Sequence, residues 1–234
     1  MNRLFLCFAS VIVVTTTPIL HGAEKELYYL KAGKPAASEL LAPPPLPVSA
    51  EQAADMETVR AAYHAASSND IAVAYSEKKF SVFNFASDVG PFFVQTNLPK
   101  TAAFFEKVQK DAETITDLGK VYFHRPRPFT VDTNLANGKL EKSFSYPSGH
   151  STESMVLALV LADLVPEKKD AILAHARLIG WHRVQIARHY PTDIYAGRTL
   201  AQAIVKQMKE NTDFEESIVE VKKEIEALRK VANN

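Results

Sequence analysis

Residues 146–164 read YPSGHSTESMVLALVLADL, and this stretch decides the fold. Pro147 cannot sit inside a helix, serine is a preferred N-cap, and the apolar SMVLALVLADL that follows shows no strand-like alternation. The reading is a helix that opens at Ser148 or Gly149. Downstream, Pro166 starts a second helix, PEKKDAILAHARLIGWHRVQ, with Ile172, Ala176, Ile179 and Arg183 along its length. Pro191 interrupts the chain, and a third helix from about Thr192 or Asp193 carries Ala196, Leu200, Ala203 and Ile204. Upstream, Pro99 suits the first turn of a long helix in which Ala103, Phe104, Val108, Ala112, Ile115 and Leu118 recur at near-helical spacing. That helix brings Gly119 and Lys120 to its end, before Pro126 and Pro128 forbid its continuation.

The flanks fit the same class. Ser49 and Gln52 form a capping box that opens a helix towards His64. Residues 69–90, NDIAVAYSEKKFSVFNFASDVG, suit one or two short helices with aromatic residues facing inward, and residues 129–146 read as a polar loop with an Asn137-Gly138 turn. Phe214, Ile218, Val221, Ile225 and Leu228 define an amphipathic terminal helix. It packs on the domain's own core or, as the sharper alternative, on a second copy in a homo-oligomer. With no alternating pattern of useful length and no internal repeat, the fold class is all-α, a helical bundle.

Composition bounds the function. Of 234 residues, 47% are hydrophobic and 23% charged, which suits one globular domain with a sizeable core. Lys and Arg balance Asp and Glu at 27 each, so nothing points to nucleic acid or an anionic membrane surface as a partner. The basic start Met1-Asn2-Arg3, the apolar run Leu4–Leu20 and the small residues ending at Ala23 have the layout of a secretory signal peptide over residues 1–23. A retained membrane anchor is the competing reading. Cys7, the sole cysteine, lies within that leader, so an exported chain would rest on its core and not on disulfides. Residues 24–48, with Pro43-Pro44-Pro45 and Pro47, form a proline-rich arm, and residues 49–234 form the domain.

Three spaced motifs carry the chemistry: Lys120 with Arg127-Pro128, then Pro147-Ser148-Gly149-His150, then Arg183, His189 and Asp193. A serine and glycine at a helix start present free N–H groups and the positive end of the helix dipole, where an anion belongs. Gly149 lets a ligand approach the backbone closely. Lysine supplies a compact charge and arginine a planar fork for phosphate oxygens. Arg125 and Arg127 compete for that role, and spacing alone does not choose between them. A neutral imidazole at His189 can attack phosphorus while Asp193 holds its other nitrogen, and His150 can manage the leaving group's proton. Asp193 as an ordinary N-cap is the plainer alternative. Metal binding fits poorly, because a second carboxylate is missing and His64, His124, His175 and His182 are scattered. Gly119, Gly149, Gly180 and Gly197 lie beside these motifs, as close helix packing would require.

The order K-x6-RP, PSGH, R-x5-H-x3-D resembles the type 2 phosphatidic acid phosphatase superfamily, which includes vanadium haloperoxidases and bacterial non-specific acid phosphatases. A chain of this size with SYPSGHS is most similar to the class A bacterial acid phosphatases, and the likeness runs from about Pro91 to Ala203. The resemblance implies an all-helical fold and metal-free, cofactor-free hydrolysis of small phosphomonoesters in the periplasm or outside the cell, with phosphotransfer as a further capacity. It singles out Arg127 over Arg125. It implies that Lys120, Arg127, Ser148, Gly149 and Arg183 hold the phosphate, that His189 is the nucleophile oriented by Asp193, and that His150 is the general acid. Vanadate is expected to inhibit as a transition-state mimic. The alternatives are a vanadate-dependent haloperoxidase and a non-catalytic phosphate-binding protein. Two positions depart from the family pattern: His182 stands where serine is usual, and Ala187 where glycine is usual.

Overall fold

The structure, a computed structural model, describes residues 27–232; the expected leader and its cleavage point lie outside them. Ten α-helices follow one another: α1 (Ala37–Leu40), α2 (Ala50–Ala65), α3 (Ser68–Ser76), α4 (Ala86–Val89), α5 (Pro99–Phe123), α6 (Pro128–Val131), α7 (Gly149–Leu164), α8 (Lys169–Gln185), α9 (Pro191–Met208) and α10 (Thr212–Ala232). Among the described residues there is no strand. The fold is all-α, as the sequence pattern requires.

The axis of the bundle is α7. Of its side chains only His150, Glu153, Leu159 and Asp163 escape full burial. A helix apolar on every side must be surrounded, and α8, α9 and α5 enclose it. Each fully buried leucine or valine along it contributes about 1.5–3 kcal/mol of transfer free energy. Its buried hydroxyls are partnered: Ser151 Oγ donates to Ile194 O (2.8 Å), and Thr152 Oγ1 to Ser148 O (2.9 Å). Glycine permits the closest approach. A methyl built on Gly197 would sit 2.9 Å from Ser148 O, and one on Gly180 would sit 3.0 Å from Ile194 Cγ2. The helix interiors that propensity disfavours are therefore the points where α8 and α9 touch the start of α7.

Several element boundaries differ from the sequence reading. Residues 166–168 wind as a tight 3-10 turn, so α8 proper begins at Lys169. Pro191 does not break α9 but opens it at the first helical position, where proline's missing N–H costs nothing. Asp193 consequently lies within the first turn and is not the N-cap. Its carboxylate accepts the Tyr190 N–H (2.9 Å). Pro128 likewise starts α6 inside the segment expected to be loop.

The ends of the chain pack inward. Tyr29, Phe104 and Phe214 form an aromatic cluster that seats α10 on α5, with Val221 and Ile225 buried alongside. Glu224 of α10 accepts the N–H groups of Lys100 (3.0 Å) and Thr101 (2.8 Å), supplying the cap that Leu98 cannot give to α5. The amphipathic face thus meets its own domain. The described part of the proline-rich arm also lies on its own chain. Asp111 of α5 accepts three backbone N–H groups, from Tyr28, Tyr29 and Leu30, at 2.8–3.1 Å. Ala37 packs over Gly119, and Tyr146 Oη donates to Ala42 O at 2.6 Å. The arm expected to be extended includes the single turn α1.

Candidate active site

Four elements deliver the three motifs to one end of the bundle. Lys120 is in the last turn of α5, which stops when His124 turns left-handed (φ 52°). Arg127 precedes α6. Ser148 is the N-cap of α7, accepting weakly from Ser151 N (3.4 Å), with Gly149 and His150 as its first helical residues. Arg183 ends α8, and its carbonyl accepts from both Arg188 N and His189 N, which folds the α8–α9 connection back on itself. Ser148 N donates to Asp193 O (3.1 Å), so the starts of α7 and α9 are stitched together.

His189 occupies the centre, 3% exposed. Its Nδ1 faces Asp193 Oδ2 at 3.3 Å and its Nε2 faces Arg127 Nη1 at 3.2 Å. A carboxylate on one side and a guanidinium on the other select the tautomer with hydrogen on Nδ1, which leaves the Nε2 lone pair aimed at the cations. Burial, followed by the Arg127 charge, lowers the His189 pKa to about 3 against the opposing pull of Asp193. The imidazole is therefore neutral above about pH 3. Asp193 is held below the usual carboxylate range: burial alone would raise it, but the bond from His189, the Arg125 charge and the Ser145 hydroxyl outweigh burial.

The anion cradle surrounds Gly149. A methyl built on Gly149 would lie 3.1 Å from Lys120 Nζ and 3.3 Å from Glu153 Oε1, so the absent side chain is the space between them. Lys120 also pairs with Asp117 (3.3 Å). Arg127 is anchored by Ser143 O (2.7 Å), Ser143 Oγ (3.0 Å) and Arg188 O (2.9 Å). Burial lowers the pKa values of Arg127 and Arg183, but a guanidinium stays charged. His150 lies against the Phe80 ring (centroids 5.5 Å apart) with Nε2 3.2 Å from Glu77 O. Burial, then the charge of Arg183, pushes its pKa well below 6.5. A cavity of about 410 Å³ opens beside His150 and Glu153, lined also by Lys78, Lys79, Phe80, Glu106, Gln109, Lys110 and Glu113, but not by Lys120, Arg127, Arg183 or His189. Its size suits a small ligand.

All eight residues singled out from the sequence meet here, and the structure separates the two arginines of HRPRP. Arg127 reaches the Nε2 face of His189. Arg125 turns away and binds Asp193 Oδ1 (2.6 Å), Asp55 Oδ2 (2.7 Å) and Gln52 Oε1 (2.6 Å), with its guanidinium 3.9 Å over the Tyr190 ring. Ser145 Oγ donates to Asp193 Oδ2 (2.5 Å). The sequence reading set Arg125 aside in favour of Arg127 and missed Ser145, Asp55, Glu77 and Glu153 as parts of the site. Glu153, four residues after Gly149 on one helix face, was findable from spacing. Asp55 and Glu77 lie far upstream, where nothing in the sequence marks them.

Ala187, where the resembling family carries glycine, has φ +55° and is fully buried. The glycine preference therefore reflects the left-handed backbone that aims His189. Arg188 fixes that turn by donating to Ile186 O (2.9 Å) and Asn137 O (2.5 Å).

Three comparisons show what the chain is similar to. Residues 112–211 match the model of the PAP2 superfamily. The chain is 29% identical to a non-specific acid phosphatase of Providencia stuartii, over 93% of this chain and 89% of that one. It is also 29% identical to an acid phosphatase of Zymomonas mobilis, over 82% and 76% of the two chains. A solved transmembrane PAP2 type phosphatidylglycerolphosphate phosphatase from Bacillus subtilis is 21% identical with a TM-score of 0.49, covering 74% of this chain and 89% of that one. Residues 112–211 are thus similar to a PAP2 superfamily domain, and the relatives named acid phosphatase are similar along most of the chain.

Proposed function

We propose that this protein is an acid phosphatase that hydrolyses small phosphate monoesters through a phosphohistidine at His189. The observation that carries the reading is the arrangement of that imidazole, with Nδ1 on Asp193 and Nε2 turned to Arg127. The named activity of the acid phosphatase relatives supports it. Lys120, Arg127, Arg183, Ser148 and the Gly149 N–H bind the phosphate oxygens. His189 Nε2 attacks phosphorus, the ester P–O bond breaks, and its electron pair leaves with the alcohol oxygen. His150 gives that oxygen a proton. A water then attacks phosphorus and returns a proton to His150, and the P–N bond breaks to restore the Nε2 lone pair. In the free protein His150 is held neutral, and the charge of a bound phosphate is what raises its pKa enough to carry the proton.

On this reading no metal or organic cofactor takes part, and vanadate inhibits by filling the cradle as a five-coordinate mimic. Residues 1–23 direct export, which would place the enzyme in the periplasm or outside the cell. No helix among the described residues is long and apolar enough to cross a membrane.

The test is hydrolysis of a chromogenic phosphomonoester at acidic pH, with chelator present, by wild type and His189→Ala. Wild type should turn over and the variant should not, with chelation having little effect. Equal rates in the two proteins would end the proposal. N-terminal sequencing of the protein from a periplasmic extract should begin near residue 24; recovery only as a membrane-bound full-length chain would reverse the export reading.

A further inference from the structure

His182, where the resembling family has serine, acquires a partner from 105 positions upstream. Its Nδ1 lies 2.9 Å from both carboxylate oxygens of Glu77. Glu77 Oε2 is in turn 3.2 Å from Arg183 Nη2, and the same guanidinium nitrogen donates to Ala74 O. The Glu77 main-chain carbonyl then faces His150 Nε2 at 3.2 Å. One residue, 4% exposed at the end of α3, thus touches the third cation, the residue beside it and the proton-handling histidine.

We propose that Glu77 is a positioning residue for phosphoryl transfer, acting with His182 in place of the serine. The inference rests on the phosphatase reading above. Glu77 lies outside the matched segment 112–211, so this chain draws part of its site from a region that the superfamily motifs do not include. Its action has two parts. The carboxylate braces one face of the Arg183 fork, so that the remaining N–H groups are presented to phosphate without the entropy of a free side chain. The carbonyl takes the Nε2–H of His150, which leaves Nδ1 as the nitrogen that exchanges a proton with the leaving oxygen. The side chain also secures the carbonyl, because the bonds to His182 and Arg183 pin the end of α3 over the site.

Both parts leave readouts that a loss of folded protein would not. In Glu77→Ala, the affinity for vanadate and for inorganic phosphate, measured by calorimetry, should fall about tenfold, the effect of one charge-assisted bond. KM should rise by a similar factor. The fall in kcat should be several-fold larger for an alkyl phosphate, whose alcohol needs a proton to leave, than for p-nitrophenyl phosphate, whose phenolate does not. Glu77→Gln, which keeps an acceptor for one of the two partners, should recover part of each loss. It also serves if the alanine variant, with a buried cation left unpaired, does not fold. Unchanged anion affinity together with an unchanged ratio of alkyl to nitrophenyl turnover, in whichever variant folds, would overturn the inference. If the wild type hydrolyses neither ester, the phosphatase reading fails, and the anion-binding comparison still decides whether Glu77 braces Arg183.

Discussion

Arg125 Nη1 and Asp193 Oδ1 are 2.6 Å apart in a pair buried to 4% and 0% exposure. This ion pair, with Asp55 on the guanidinium's other side at 2.7 Å, is the foundation on which the His189 imidazole stands. Two arginines two residues apart therefore do opposite jobs: Arg127 faces Nε2 of His189 and Arg125 holds the Asp193 carboxylate on its other side.

Removing Arg125 should cost stability first. Arg125→Ala strands two buried carboxylates, and breaking such an arrangement costs about 3–5 kcal/mol. Urea unfolding should show a loss of that size. Arg127→Ala should mainly weaken phosphate binding, by tenfold or more, with a smaller loss of stability. The reverse ranking would mean that the two roles are exchanged.

Ser145→Ala removes one of four groups bonded to the Asp193 carboxylate. A hydrogen bond to a charged group contributes about 1.5–3 kcal/mol, and the bonds from Arg125 and Tyr190 N remain. Activity should fall several-fold through kcat, with phosphate affinity nearly unchanged. A KM effect without a kcat effect would contradict a role confined to orienting His189.

The alkaline limit of activity should follow Glu153. Burial raises its carboxyl to about 7, against the lowering influence of Gln109 and Lys120, while Glu113 and Asp117 of α5 raise it further. Below that pH it is neutral. Above it, a new negative charge stands beside Gly149 and offsets Lys120, so kcat/KM should decline as pH rises through about 7. Glu153→Gln should move that decline to higher pH. The stability term has the same direction: the folded state binds the Glu153 proton more tightly than the unfolded chain, so this contribution is present below about 4.5 and is lost as pH rises through about 7. An alkaline limb unmoved in the glutamine variant would assign the limit to another group.

Ala187 should tolerate glycine and refuse valine. Its left-handed backbone costs a non-glycine residue about 1–2 kcal/mol. Glycine relieves that but gives up a buried methyl, worth about 0.8 kcal/mol, and gains freedom when unfolded. The net change in Ala187→Gly should lie within about 1 kcal/mol. Ala187→Val adds branching where there is no room and should lose roughly 2–4 kcal/mol by thermal or urea unfolding.

Much of the molecule was legible in one dimension because the determinants are local. The all-helical class follows from proline positions and helical spacing, and the start of α7 at Gly149 follows from a serine cap after a proline. The order of the three motifs carried the eight site residues, since each motif sits at the end of an element that the sequence itself marks. The boundary at Pro191 differs because proline can begin a helical turn as readily as it ends one, whereas Pro166 does start a helical turn and differs only in that this first turn is 3-10.

What the sequence could not give was the partnership of residues distant along the chain. Spacing within HRPRP leaves two equivalent cations, between which the family resemblance chooses; the packing of α2 against α9 supplies the physical reason, putting Asp55 and Gln52 where they capture Arg125 while Arg127 faces His189. His182 reads as an unexplained departure until α3 places Glu77 against it, and nothing in the sequence tells that Glu153 packs against α5. Local backbone rules are written into neighbouring residues, so the sequence by itself determined the helices and the candidate site residues. The ionisation state and aim of each reactive group depend on burial and on charges brought from other helices, and those only the tertiary structure decided.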